Sequence, residues 1–118
     1  MKIVIEVKLP SLNEHDLANR INRYRGAQMK RSYTELVYWT VKAQKIPKVK
    51  TYPVVMTFTW YRRDKRTDPD NISFARKYIL DGLVKAGVLE NDGWGNISEF
   101  HDYFRKGKIN RVEIEIEE

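Results

Sequence analysis

The chain has 118 residues, of which 42% are hydrophobic, and we expect residues 1–118 to form a single domain around one core. It has no cysteine, which excludes disulfides, thiolate catalysis and cysteine-ligated zinc, and its formal net charge of +6 favours a polyanion as the partner. Charges interrupt the apolar start of the chain and no apolar stretch is long enough for a membrane span, so we expect no signal peptide, no membrane contact and a cytoplasmic location.

The first half of the chain is predicted to contain one strand and one main helix. Residues 3–9 alternate between apolar and charged side chains, which is typical of a strand with one buried face. Residues 11–30 are polar, and we expect a partly mobile loop that holds a helical turn around residues 14–24. A helix is predicted to begin at Ser32, with Glu35 as its capping-box partner, and to end before Pro47.

The second half is predicted to contain a strand, a helix and two further strands. Residues 54–61 are rich in β-formers, and apolar residues recur at helical spacing over residues 71–86, where Gly87 provides a stop. Strands are predicted near 97–105 and 112–117, the last antiparallel to its neighbour. The order β-α-β-α-β-β predicts an α+β fold, in which two main helices cover a mixed or antiparallel sheet of about four strands.

Basic residues are concentrated in the middle of the chain. Residues 20–66 carry 13 Lys and Arg but only two acids. Two groups are candidates for contacts with a nucleic-acid backbone, one in a basic loop and one in the predicted mobile segment: Arg62, Arg63, Lys65 and Arg66, and Arg20, Arg23, Arg25, Lys30 and Arg31. A solvated basic face without a ligand is the alternative. Trp94 lies between two glycines in a predicted loop, so we expect it to be exposed and able to stack on a base, whereas Trp60 suits the core.

Three carboxylates are notable in this basic chain. Asp68 and Asp70 lie two residues apart at the start of the second predicted helix, and Asp92 lies just beyond its end. Mg²⁺ prefers oxygen ligands, and a pair of such ions about 4 Å apart can promote phosphodiester hydrolysis, so these residues are a candidate metal site. Asp-Pro-Asp-Asn before a helix is equally typical of N-capping. Asp81 follows Lys77 by one helical turn, which predicts a surface ion pair.

Several short motifs follow one another along this part of the chain. They are Asp68-Pro69-Asp70-Asn71, Lys77, Leu80-Asp81-Gly82-Leu83, Ala86-Gly87-Val88 and Asn91-Asp92, with Pro10-Ser11-Leu12-Asn13 near the amino end. Together they resemble the RusA family of Holliday-junction resolvases. The resemblance implies a homodimeric endonuclease of DNA recombination and repair that uses Mg²⁺, or Mn²⁺, and no small-molecule cofactor to hydrolyse phosphodiester bonds in four-way or branched DNA.

The resemblance also assigns residues. It places the family's catalytic, metal-binding carboxylates on Asp68, Asp70 and Asp92. It places the family's lysine on Lys77, although Arg76 is an equally basic neighbour that could contact DNA instead. The chain departs from the pattern in having Asn91 where many members have an acid.

The length of the second helix has a consequence for the three carboxylates. A helix over residues 71–87 would be about 25 Å long, and the following segment can reach back at most about 17 Å. We therefore predict that Asp92 meets Asp68 and Asp70 across a two-fold dimer, unless the helix breaks near residues 74–77. Two other interpretations stay open: a non-catalytic module of the same fold that binds branched DNA, and a structural protein whose aspartates are only caps.

Overall fold

Four strands form one mixed sheet in the computed structural model, which describes residues 1–118. The strands are β1 (Lys2–Ile5), β2 (Val54–Arg62), β3 (Ile97–Lys106) and β4 (Arg111–Glu117). Their order in the sheet is β1-β4-β2-β3. The closing strand β4 pairs antiparallel with β1 and β2, and β3 pairs parallel with β2 at the sheet edge. The predicted α+β fold with about four strands is confirmed, but β4 does not pair with the strand that precedes it in the chain.

Four helical segments connect these strands. They are α1 (Leu12–Ile21), α2 (Arg23–Ala43), α3 (Pro69–Ser73) and α4 (Arg76–Lys85). The predicted helix pair corresponds to α2 and to the α3–α4 segment, whereas α1 lies where only a helical turn was expected. None of these helices has both the length and the apolar character needed to cross a membrane.

The helical turn expected within residues 11–30 is present, but the expectation that the rest is a mobile loop is wrong, because two helices, each capped by a polar residue, fill the segment. The Ser11 hydroxyl accepts a hydrogen bond from the Glu14 amide at 3.3 Å and donates one to the Glu14 carboxylate at 3.2 Å, so Ser11 caps α1. Asn22 ends α1 and starts α2, and its side-chain oxygen accepts a hydrogen bond from the Arg25 amide at 2.7 Å. Ser32, which was predicted to start the helix, therefore lies well inside α2.

The second predicted helix starts earlier than expected and is interrupted. It begins at Pro69, a favourable first helical position because proline needs no hydrogen-bond acceptor for its nitrogen. Between α3 and α4 the Ala75 amide bonds to the Ile72 carbonyl at 3.1 Å and the Tyr78 amide to the Ala75 carbonyl at 3.0 Å. These i to i+3 bonds tighten the turn, so the helix does break where the sequence left that possibility open. Gly87, with φ of 77°, provides the expected stop.

The helices pack on one face of the sheet and enclose the core. Side chains of β2 alternate between buried and partly exposed, and buried Phe58 and Trp60 belong to the same cluster as Val37 of α2 and Tyr78 of α4. A methyl group on Gly82 would lie 2.4 Å from Val37, so the close approach of α2 and α4 requires this glycine. The other face of the sheet is polar and carries a row of acidic side chains from β3 and β4: Glu99, Glu113, Glu115 and Glu117.

Candidate functional site

Asp68 caps α3 with its backbone and leaves its carboxylate free. The Asp68 backbone is extended, with φ −67° and ψ 150°. Its carbonyl oxygen accepts hydrogen bonds from the amides of Asn71 and Ile72, each at 3.1 Å. Its side chain makes no capping hydrogen bond. The Asp70 carboxylate also has no hydrogen bond or ion pair, and both side chains are exposed. Capping by the side chain therefore does not explain these two acids.

Asp92 also has a free carboxylate, in the segment between α4 and β3. The side-chain oxygen of Asn91 accepts a hydrogen bond from the Asp92 amide at 2.9 Å, which fixes the backbone at that point. The Gly93 carbonyl then accepts hydrogen bonds from the amides of Asn96 and Ile97, at 3.0 and 3.1 Å, in a tight turn into β3. Asp92 is thus presented from an ordered turn, exposed to solvent.

The structure does not bring Asp92 to the other two acids within one chain. Asp68 lines a groove of about 290 Å³ with residues that include Phe104 near the end of β3, here called the Asp68 groove. Asp92 lines a separate groove of about 290 Å³ with residues that include Phe100 near the start of β3, here called the Asp92 groove. The strand rises about 13 Å between Phe100 and Phe104. Accordingly, no group of three or more His, Cys, Asp or Glu side chains is close enough to hold a metal ion.

Positive charge borders the Asp68 groove. Arg62 and Lys65 line it, whereas Arg63 and Arg66 are exposed beside it. Partial burial lowers the pKa of Arg62, whereas the nearby carboxylates of Glu14 and Asp64 act in the opposite direction. The Arg62 guanidinium is therefore partly desolvated, and an anion bound beside it would be favourable. The Arg66 amide donates to the Asp64 carboxylate at 3.0 Å and lowers the pKa of that carboxyl, so the basic loop has a defined turn.

Arg76 and Lys77 play different parts in the structure. The Arg76 guanidinium donates to Asp102 at 2.5 Å and lies 4.3 Å from the centre of the Phe100 ring. The Trp60 indole donates to the other Asp102 oxygen at 2.8 Å. Lys77 is exposed and has no ion pair. Because Arg76 is held within the fold, Lys77 is the free cation at the start of α4.

Asp102 was not predicted as a site residue, and Asp81 was predicted to have a different partner. Asp102 lies on the helix side of β3 in register with buried Phe58, and a carboxylate at such a position requires a cation. The sequence carries no comparable signal, because the position of Asp102 depends on the pairing of β3 with β2. The predicted ion pair of Asp81 with Lys77 is wrong, because an Asp81 oxygen lies 3.8 Å from the Lys30 amine on α2.

The second basic group lies on two helices rather than on a loop. Arg20 belongs to α1, and the others belong to the first half of α2: Arg23, Arg25, Lys30 and Arg31. All five side chains are exposed. Because α1 contacts α3, the helix that begins beside Asp68, this group and the Asp68 groove lie on the same side of the sheet.

Comparison with known proteins gives one family. The family described as "Endodeoxyribonuclease RusA" has a model that matches residues 11–117, a range that includes both grooves and both basic groups. No curated protein matches the chain with significant sequence similarity. The resemblance drawn from the motifs between Asp68 and Asp92 is thereby confirmed.

Proposed function

Because this chain belongs to the RusA family of endodeoxyribonucleases, we propose that it is a metal-dependent nuclease that resolves four-way DNA junctions by phosphodiester hydrolysis. The observation that supports catalysis, rather than DNA binding alone, is that the carboxylates of Asp68, Asp70 and Asp92 are free. All three carboxylates are exposed and none has a hydrogen bond or an ion pair, in a chain with a formal net charge of +6. Free acids in a DNA-binding chain would repel its ligand unless a cation stood between them.

The donor set suits a hard divalent cation. Carboxylate oxygens are the ligands that Mg²⁺ prefers, with Mn²⁺ as the alternative, and we assign this role to Asp68, Asp70 and Asp92. When bound, such an ion supplies an activated water and stabilises the leaving oxygen. We assign to Lys77, which is exposed at the start of α4, the positive charge that stabilises the phosphate as negative charge develops on it.

The site is proposed to form between two subunits. Asp68 and Asp92 line grooves near opposite ends of β3, so a single chain offers two incomplete halves. In a two-fold dimer, Asp92 of one subunit can approach Asp68 and Asp70 of the other, and symmetry then creates two equivalent sites. A four-way junction has matching two-fold symmetry and requires two cuts.

DNA is proposed to approach from the helix side of the sheet. That side carries Arg62, Lys65 and the basic residues of α1 and α2, whereas the opposite sheet face carries a row of glutamates. Contacts with phosphates supply affinity that falls steeply with salt and carry little sequence information. Such binding suits an enzyme that selects the shape of its substrate.

The test is cleavage of a labelled four-way junction with and without Mg²⁺. We expect cleavage by the wild type with Mg²⁺, and its loss in Asp70→Asn while junction binding persists or tightens. Asp16→Asn is the matched control, because Asp16 is an exposed acid on α1 that lines neither groove. Binding without cleavage by the wild type would instead identify a non-catalytic DNA-binding module, and weaker binding by folded Asp70→Asn would contradict a site that faces DNA.

A further inference from the structure

Trp94 is presented to solvent in a defined position. Its side chain is 100% exposed, although it is a large apolar group. Trp94 lies two residues after Asp92, in the turn where the amides of Asn96 and Ile97 donate hydrogen bonds to the Gly93 carbonyl. It also lines the Asp92 groove together with Phe100, which is 40% exposed. An apolar patch held on an ordered turn is typical of an interaction site.

The Asp68 groove has the shape and chemistry to receive an indole ring. Its apolar walls come from Trp60, Ile72 and Phe104, and Arg62 and Arg105 border it. Its volume of about 290 Å³ leaves room for the ring. Guanidinium groups beside an aromatic face add a cation–π attraction.

The charges around the two grooves are complementary. Trp94 is accompanied by acids, namely Asp92 and Glu99 in its groove and Glu90 just before it. The rim of the Asp68 groove is predominantly basic, with four cations and two acids: Arg62, Lys65, Arg105 and Lys106, and Asp64 and Asp68. Opposite potentials on two patches of one chain favour their meeting in a pair of chains.

We propose that Trp94 of one subunit inserts into the Asp68 groove of the other and closes the shared catalytic site, an inference that rests on the intersubunit site proposed above. Two residues of chain span at most about 7 Å, so a docked ring brings Asp92 next to the other subunit's Asp68. A chain cannot dock its own Trp94 in this way, because the two grooves lie near opposite ends of β3. Two-fold symmetry makes the contact twice.

The test is the dimer dissociation constant, measured by sedimentation without DNA or metal. Truncation of a tryptophan buried at an interface typically weakens association by about 30-fold or more, so we expect that loss in Trp94→Ala and a smaller loss in Trp94→Phe. Trp39→Ala is the matched control, since Trp39 is 65% exposed on α2 and lines neither groove. The fluorescence of Trp94 should also shift to shorter wavelength as the dimer forms.

Each outcome decides between the possible occupants. An unchanged dissociation constant in Trp94→Ala overturns the proposal, and if junction affinity falls at the same time, the ring stacks on a DNA base instead. An equal loss in Trp39→Ala also overturns it. At concentrations where both proteins are monomers, thermal unfolding of Trp94→Ala should match that of the wild type, because a ring that is fully exposed in the monomer adds little to the fold. Since the measurement needs no cleavage, an inactive wild type would reject the nuclease proposal, whereas the dissociation constants would still decide whether Trp94 docks in the other subunit.

Discussion

Replacement of Asp68 by alanine separates a capping role from a metal-binding role. Loss of a side-chain N-cap typically costs about 1 kcal/mol of stability. In this structure the Asn71 amide is satisfied by the Asp68 backbone carbonyl at 3.1 Å, and the carboxylate makes no capping bond. Only the attraction of an exposed carboxylate to the helix end is lost, which is worth roughly 0.3–1 kcal/mol and is weakened by salt. We therefore expect Asp68→Ala to cost less than about 0.5 kcal/mol at moderate salt.

Ser11 and Asn22 provide internal standards for this prediction. Their side chains accept hydrogen bonds from the amides of Glu14 and Arg25, so Ser11→Ala and Asn22→Ala should each cost about 1 kcal/mol. The assay is urea unfolding of all three variants in a chelator at neutral pH and moderate salt. A cost in Asp68→Ala equal to that of the two standards would show that its carboxylate is a cap.

Mg²⁺ gives the same variant a second readout. A ligand that binds only the folded state stabilises it by about 2.7 kcal/mol when present at a hundred times its dissociation constant. We expect saturating Mg²⁺ to stabilise the wild type and to have a much smaller effect on Asp68→Ala. Equal stabilisation of both proteins would refute the assignment of Asp68 as a metal ligand, whatever its cost to stability.

Three further predictions concern the surroundings of the site. Asp102→Ala leaves a partly buried guanidinium and an indole N–H without their acceptor, so we expect a loss of about 2–3 kcal/mol in urea unfolding. Arg62→Ala should lower the slope of log affinity against log salt for junction DNA by about 1, whereas Lys2→Ala on the opposite sheet face should leave it unchanged. Burial raises the pKa of Tyr78 from 10.0 to about 12, so the unfolded chain loses the Tyr78 proton at a lower pH than the folded chain does. The free energy of unfolding should therefore fall on the order of 1 kcal/mol between pH 9 and 11, and this decline should be absent in Tyr78→Phe.

The helical hairpin of α1 and α2 shows where hydrophobic periodicity fails as a guide. In α1 only Ala18 is buried, and in the first half of α2 only Gly26 is. A methyl group on Gly26 would collide with the Asn19 side chain, so the two helices meet through small residues rather than through an apolar stripe. The capping signal was nevertheless present, because Ser11 and Glu14 have the same spacing as Ser32 and Glu35. Whether Ser11 or Ser32 starts a helix could be decided only from the way in which α2 packs.

The strands and the carboxylates were easier to predict than their spatial relations. Alternating patterns placed β2 and β4 closely, because each has one face in the core. The parallel pairing of β3 with β2, by contrast, depends on contacts distant in sequence, and the partial burial of Asp102 follows from that pairing. The free state of the Asp68 carboxylate could not be predicted either, since a backbone carbonyl and a side chain can satisfy the same amide.

Mixing two inactive variants tests directly whether the sites are shared between subunits. In Asp70→Asn and in Asp92→Asn, every site of the homodimer lacks one acid. If Asp92 serves the other subunit, each heterodimer has one intact site and one site that lacks both acids. Random exchange makes about half of the dimers mixed, so roughly a quarter of the wild-type sites should return and each active dimer should nick a single strand. If Asp92 instead serves its own subunit, both sites of every mixed dimer lack one acid, and mixing should restore no cleavage.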